Sequence, residues 1–207
     1  MARPRGEGFD RQRAAIRAQA ARLFAEDGFA RASMAAIAAA CGVSKPLLYH
    51  YYRDKGALLF DVADSYVQRL LAIVAEVTAE PLEPEARLRE LVRRFMAEYE
   101  HARHQHQVLV QDVKFLAEAE RRQVAARQRE VVDAFAAAIA AARPRRNEAS
   151  LRVPLAMILF GMINWTFTWL RAGGPLTYAH MADLVADLFL HGALPPAGQA
   201  AGPGEAE

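Results

Sequence analysis

Lys45, Tyr49, His50, Tyr51 and Lys55 place two ammonium groups, an imidazole and two phenols within one short stretch, the set of groups that reads nucleic acid. A lysine near the start of a helix laid in the major groove reaches guanine O6 and N7, and an imidazole on the same helix reaches a base edge. Lys45 and His50 are therefore the candidates for base contact, with a solvated helix end touching only phosphates as the alternative for each. Ser33, Tyr49, Tyr51 and Lys55 carry hydroxyl and ammonium groups suited to phosphate oxygens. Ser44 and Pro46, at the head of the same segment, complete the candidate DNA-binding set.

Two short helices and a tight turn must position these groups. Ser33 is expected to N-cap a helix with Ala36, Ile37 and Ala40 on one face, and Gly42 to end it. Ser44 then caps a second helix, with Pro46 in its first turn, where a missing N–H costs nothing. Leu47, Leu48 and Tyr52 are its expected apolar anchors. A turn of three to four residues between two such helices is helix-turn-helix geometry. Ahead of it, residues 10–25 read as an amphipathic helix, with Ile16, Ala20, Leu23 and Phe24 on one stripe and Gly28 as the stop.

These positions resemble the TetR family of bacterial one-component repressors. The resemblance runs through Ile16 to Phe24, the turn Glu26-Asp27-Gly28-Phe29, Ser33, Ile37, Ala38, Gly42-Val43-Ser44, Leu48 to Tyr52, Lys55 and the pair Leu58-Leu59, roughly a quarter of the chain. Tyr51 stands where the family often has histidine, and Tyr52 where it often has phenylalanine. The resemblance implies phosphate contacts from Tyr49 and Lys55, a double-stranded DNA operator as partner, and a homodimer formed by the last two long helices as a four-helix bundle.

Residues 1–55 hold 10 Lys and Arg against 5 Asp and Glu, while residues 56–207 hold 16 against 19. The net charge of +2 hides this asymmetry; the basic N-terminal quarter can bind DNA through counterion release while the rest does not adhere to it. Cys41 is the only cysteine, which excludes an intrachain disulfide and fits a small core residue. Met1 to Arg5 is basic with no apolar run after it, so a cytoplasmic protein is expected. Arg3 and Arg5 lie in an expected flexible arm over 1–9, where entry into a minor groove and disorder are both open.

The remainder reads as helices, giving an all-α fold. A DNA-binding domain over 10–56 is followed by a ligand-binding and dimerisation domain over 57–193, and a Pro, Gly and Ala tail over 194–207 reads as disordered. Helices are expected over 55–79, 85–101, 105–115, 118–142, from a Ser150 cap to 172, and over 178–191. Val153 to Leu170 is free of charge and reaches the lower length for a membrane span, but it contains Pro154, Gly161, Asn164, Thr166 and Thr168 and reads as buried in protein, with no membrane partner. Within it Asn164 needs a polar partner, a ligand or an internal one. Met157, Phe160 and Thr168 share its face, and Phe95, Tyr99 and Gln111 complete an expected effector pocket; Trp165 and Trp169 read as core or interface. The segments Gln107 to Asp112 and Trp169 to Thr177 are similar to the TetR branch that governs aromatic, fatty-acid and steroid degradation, which implies a coenzyme A thioester as effector.

Enzyme chemistry finds no support in the motifs. Glu98 and His101 have the spacing of a di-iron helix without a second copy, and His106 does not align with His101 and His104 for metal binding. No phosphate loop, His-Glu-x-x-His or Gly-x-Ser-x-Gly occurs, and no cofactor is implied. A helical enzyme or a membrane-associated helical protein is the alternative class.

Overall fold

The computed structural model describes residues 5–143, 149–171 and 173–192, and every described element is helical. The arm residues before Arg5, the 144–148 segment, Ala172 and the tail after Gly192 lie outside the described residues. Capping decides the N-terminal layout. Ser33 Oγ accepts from the Ala36 N–H at 3.1 Å to open α2 (Met34–Ala40), and Ser44 Oγ accepts from Leu47 at 3.3 Å to open α3 (Lys45–Tyr51). Gly42, with φ of +64°, supplies the left-handed residue that only glycine adopts without cost, so α2 ends and the turn to α3 begins there.

The first helix, α1 (Arg5–Asp27), starts five residues earlier than the sequence pattern marks. Phe9, which that pattern left in the arm, stacks on the Tyr51 ring at 4.5 Å and so gives these turns a tertiary anchor. Of the three expected anchors of α3, Leu48 and Tyr52 are buried but Leu47 is exposed. Cys41 is half-buried at the end of α2 and not fully in the core, and the burial it does have pushes its thiol pKa up.

The second domain is built on α4 (Lys55–Ala79), whose buried stripe includes Leu58, Leu59, Val62, Tyr66, Leu70, Ile73 and Val77. α5 (Pro84–His101), α6 (Arg103–Gln111) and α7 (Glu118–Ala142) pack round it. The expected 105–115 helix is two elements, since α6 stops at Gln111 and Val113–Phe115 form a separate 3-10 turn. A buried ion pair, Asp64 with Arg127, ties α4 to α7.

The apolar C-terminal run is not one helix. Ser150 lies in a 3-10 turn, Ala149–Leu151, and no side chain caps α8 (Arg152–Ile163). Pro154 is tolerated only in a first turn, so the α-helix opens just ahead of it. It breaks at Asn164 and Trp165 before the short α9 (Thr166–Trp169), because competing partners enter the ladder. The Asn164 carbonyl lies 2.9 Å from His106 Nε2, while the Thr168 N–H turns to the Trp165 carbonyl at 3.0 Å. Thr177 caps α10 (Tyr178–His191), which packs on α5.

Candidate DNA-reading surface and effector cavity

α3 is held at both ends of a short span. Leu48 is fully buried, and the Tyr52 hydroxyl donates to Asp61 Oδ2 at 2.6 Å. Asp61 also accepts from Arg13 at 2.9 Å and pairs with Arg17 at 3.6 Å, so one carboxylate locks the recognition helix to α1 and α4. Burial, with Asp61 next, drives the Tyr52 phenol far up, which keeps it a donor at any physiological pH.

With α3 fixed, its polar side chains divide into two groups. Ser33, Lys45 and Tyr49 line one concave surface, about 470 Å³, with Arg53 and Lys55 at its edge. Hydroxyls and cations from the cap of α2, from α3 and from the start of α4 thus line one open surface with the donors that phosphate oxygens accept from. Lys55 needs a revised role, because its ammonium already donates to the carbonyls of Phe29 at 2.6 Å, Ala32 at 2.8 Å and Ala30 at 3.2 Å and lies 4.4 Å over the Phe29 ring. All three N–H donors are occupied, so Lys55 pins the turn between α1 and α2 before it can serve any phosphate. Ser44 and Pro46 are exposed at the head of α3, where Ser44 is committed to its cap.

His50 and Tyr51 form the second group with Phe9. His50 meets Tyr51 edge-on at 5.8 Å and Phe9 at 6.4 Å, and the Tyr51 ring is half-buried beneath Phe9. Tyr51 is therefore a packed aromatic whose ring supports His50.

The cavity lies in the other domain, about 340 Å³ in volume and walled by residues from α4 to α8. Phe95, Tyr99, Met157, Phe160 and Asn164 line it as expected, with Val67, Leu70, His106, Val110 and Val131. Gln111 and Thr168 do not. Gln111 is exposed in a separate groove beside Phe29 and Trp165, because α6 ends there; the helix break rotates Thr168 outward, where its hydroxyl donates to the Trp165 carbonyl at 2.7 Å. Asn164 has its internal partner: the Tyr99 hydroxyl donates to Asn164 Oδ1 at 2.9 Å. His106, 2% exposed, stacks on Tyr99 at 3.8 Å. Burial lowers its pKa to about 4, so the ring is neutral.

Residue-level contacts bridge the two sites. One position after His106, Gln107 Nε2 donates to the Ala25 carbonyl of α1 at 2.9 Å, and Phe115 stacks on Phe29 at 5.2 Å, beside the Lys55 clamp.

A helix-turn-helix on a basic N-terminal segment, joined to helices that enclose an apolar cavity, is matched by two family models. The one described as bacterial regulatory proteins, tetR family, covers residues 16–62, and the one described as tetracyclin repressor-like, C-terminal domain, covers residues 81–193. The chain belongs to the TetR family of transcriptional regulators. A TetR-family transcriptional regulator from Bordetella parapertussis is 35% identical, with a TM-score of 0.83 over 87% of this chain and 95% of that one. AibR, solved in complex with isovaleryl coenzyme A and operator DNA, is 26% identical, with a TM-score of 0.77 over 86% of this chain and 98% of that one. An HTH-type transcriptional repressor of Mycobacterium tuberculosis is 36% identical over 56 residues, 27% of this chain, and the chain spans 30% of that repressor's length. These relatives are regulators, and the TetR-family chain is not an enzyme.

Sequence reasoning overlooked Phe9, Arg53, Gln107 and the pocket role of His106. Phe9 and His106 are aromatic rings on polar stretches, and that signal gained meaning only from the rings they meet across the fold. Arg53 and Gln107 carry no local mark at all.

Proposed function

We propose that this chain is a homodimeric repressor that grips a palindromic operator with α3 and is released by an acyl- or aryl-coenzyme A thioester. The observation that carries the reading is the cavity: apolar, about 340 Å³, with one polar corner made by Tyr99, Asn164 and His106. That is the size and character of a small-molecule site, and it is large enough for an acyl group but not for a whole thioester. The coenzyme portion then lies at the mouth, where Arg129 is exposed and has no ion pair among the described residues. The AibR complex supports the ligand class. Within this reading residues 10–56 bind DNA and residues 57–193 bind effector and partner subunit, in the cytoplasm.

The dimer rests on the surface of the last helices. Ala149–Trp169 is long and apolar enough by composition to cross a membrane, yet only 33% of its 18-residue apolar window is buried inside the chain. Val153, Met157, Ile158, Trp165 and Trp169 are exposed on it, with Leu184 on α10. So large an apolar patch needs a cover, and a second copy provides it for a protein that must meet two half-sites. Against a membrane, α8 alone is 12 residues, about 18 Å at 1.5 Å per residue, short of a bilayer core of about 30 Å.

A thermal-shift series with thioesters of short, branched and aromatic acids tests the effector. A ligand that binds the native state raises Tm with concentration. A shift from at least one thioester, absent with coenzyme A alone, is the expected result. No shift from any thioester, alongside a clear one from another ligand class, overturns the thioester assignment and leaves the regulator intact.

A further inference from the structure

A second concave surface, about 580 Å³, lies where the turn after α1 meets the end of α6, lined by Gly28, Phe29 and Ala30 and by residues 110–115. It shares only Val110 with the effector cavity. Its wall is aromatic: Phe29 stacks on Phe115 at 5.2 Å, and Phe115 is 46% exposed. Trp165 also lines it but belongs to the face assigned above to the partner subunit, so the other residues must hold any ligand.

Asp112 is the group in this wall that lacks a partner. It is 8% exposed, yet its carboxylate makes no hydrogen bond and no ion pair among the described residues. It is both the C-cap of α6 and the N-cap of the following 3-10 turn, and its side chain caps no N–H there. A helix C-terminus is the negative end of the macrodipole, so the carboxylate is added to charge of its own sign. Burial pushes its pKa up, opposed by the charge of Lys114. Lys114 does not close on it; its ammonium lies 5.3 Å from the centre of the Phe115 ring, so this wall already accommodates a cation. Neither Asp112 oxygen is among the sealed, unpartnered atoms of the described residues, so both can be reached from the groove that Asp112 lines. A buried carboxylate without a counter-charge is costly, and a cation that enters the groove removes that cost. No three metal-ligating groups cluster among the described residues, so a lone divalent ion has too few ligands here.

We propose that this groove is a second ligand site, for a small organic cation: a primary amine on an apolar body, whose ammonium donates to the Asp112 carboxylate while the body lies against Phe115 and Val113. The site is separate from the effector cavity and does not depend on the thioester proposed above.

Three probes that share a phenyl ring and a two-carbon spacer test it on the full chain by calorimetry: 2-phenylethylamine, protonated at pH 7, 2-phenylethanol and 3-phenylpropionate. The amine should bind about tenfold more tightly than the alcohol, and the carboxylate most weakly of the three. In ¹³C NMR the amine, and not the alcohol, should move the Asp112 carboxylate resonance. Asp112→Asn should bring amine and alcohol to equal affinity, and Lys114→Met, which removes the neighbouring cation, should tighten the amine about threefold. Equal affinity of amine and alcohol in the wild-type protein overturns the inference. So does a preference for the amine that leaves the Asp112 resonance unmoved, since the cation is then bound elsewhere, or one that appears only in Lys114→Met, since Lys114 is then the partner of this carboxylate. The wild-type affinities and the Asp112 resonance decide even if Asp112→Asn fails to fold.

Discussion

The recognition helix has seven residues and buries one side chain, Leu48, whereas the effector cavity draws its wall from five helices between Val67 and Asn164. The first is set by neighbours in sequence: two serine caps, a left-handed glycine and a proline at the helix start. The second is set by long-range packing, and its polar corner exists only because α5, α6 and the break after α8 converge. A locally coded surface keeps its candidate contacts within a few residues of one another, while a globally coded cavity draws its wall from helices far apart in the chain. The Gln107 and Phe115 contacts with α1 are where the two meet.

The greatest disturbance should come from the surface that neither region owns. Trp165, 54% exposed, sits on the apolar face assigned to the partner subunit. Trp165→Glu should convert the dimer to monomer in sedimentation and lower operator affinity at least a hundredfold, about 3 kcal/mol, since half-sites are then bound singly. A folded variant that remains dimeric removes this face from the interface.

The cavity side is also sensitive to acid. His106 has a folded pKa lowered to about 4 by burial, against an ordinary value near 6.5. As pH falls through about 6.5 the unfolded chain takes up a proton that the folded chain refuses until about 4. Stability from this group is therefore complete above 6.5 and is lost across that window, about 3 kcal/mol in all. Glu90, held down to about 2 by Arg93 and then Arg94, loses its contribution only below the ordinary carboxylate range. Denaturant melts at pH 7, 5.5 and 4.5 should show the slope, and His106→Phe should flatten it.

On the DNA side, effects should be smaller and local. Lys45→Ala should relax preference at one base position by about 1–3 kcal/mol, read by binding to operators varied one base at a time. A uniform loss across sequences would make Lys45 a phosphate contact. Phe9→Ala should cost about 1 kcal/mol of operator affinity through the ring cluster with Tyr51 and His50, with Phe9→Tyr largely restoring it. No change on Phe9→Ala would separate that cluster from recognition.

How much was legible in the sequence follows the same division. The caps at Ser33 and Ser44, the Gly42 stop, the ends of α4 and α7 and the burial of Tyr52 could be read because each rests on residues within one turn of one another. Five of the expected cavity residues could be read from their shared helix faces, Phe95, Tyr99, Met157, Phe160 and Asn164. Gln111 and Thr168 were misplaced because helix periodicity was carried through points where a helix ends, α6 at Gln111 and α8 at Ile163, and the second of these depends on an imidazole from another element taking the Asn164 carbonyl. Lys55 reads in the sequence as a phosphate contact, yet three carbonyls brought close by folding claim its ammonium. His106 lay in a polar stretch that gave no sign of a 2% exposed ring.

The most direct test of coupling between the two regions is operator affinity, by fluorescence anisotropy at fixed salt, with and without a saturating thioester that raises Tm. The account predicts a weakening of about 1–3 kcal/mol in the wild-type protein. It also predicts loss of that response in the double variant Tyr99→Phe with Asn164→Leu, which removes both ends of the cavity bond together and leaves no orphaned hydroxyl. DNA binding by the double variant without ligand should match that of the wild type. A bound thioester that leaves wild-type operator affinity unchanged would contradict the claim that this cavity governs the recognition helix.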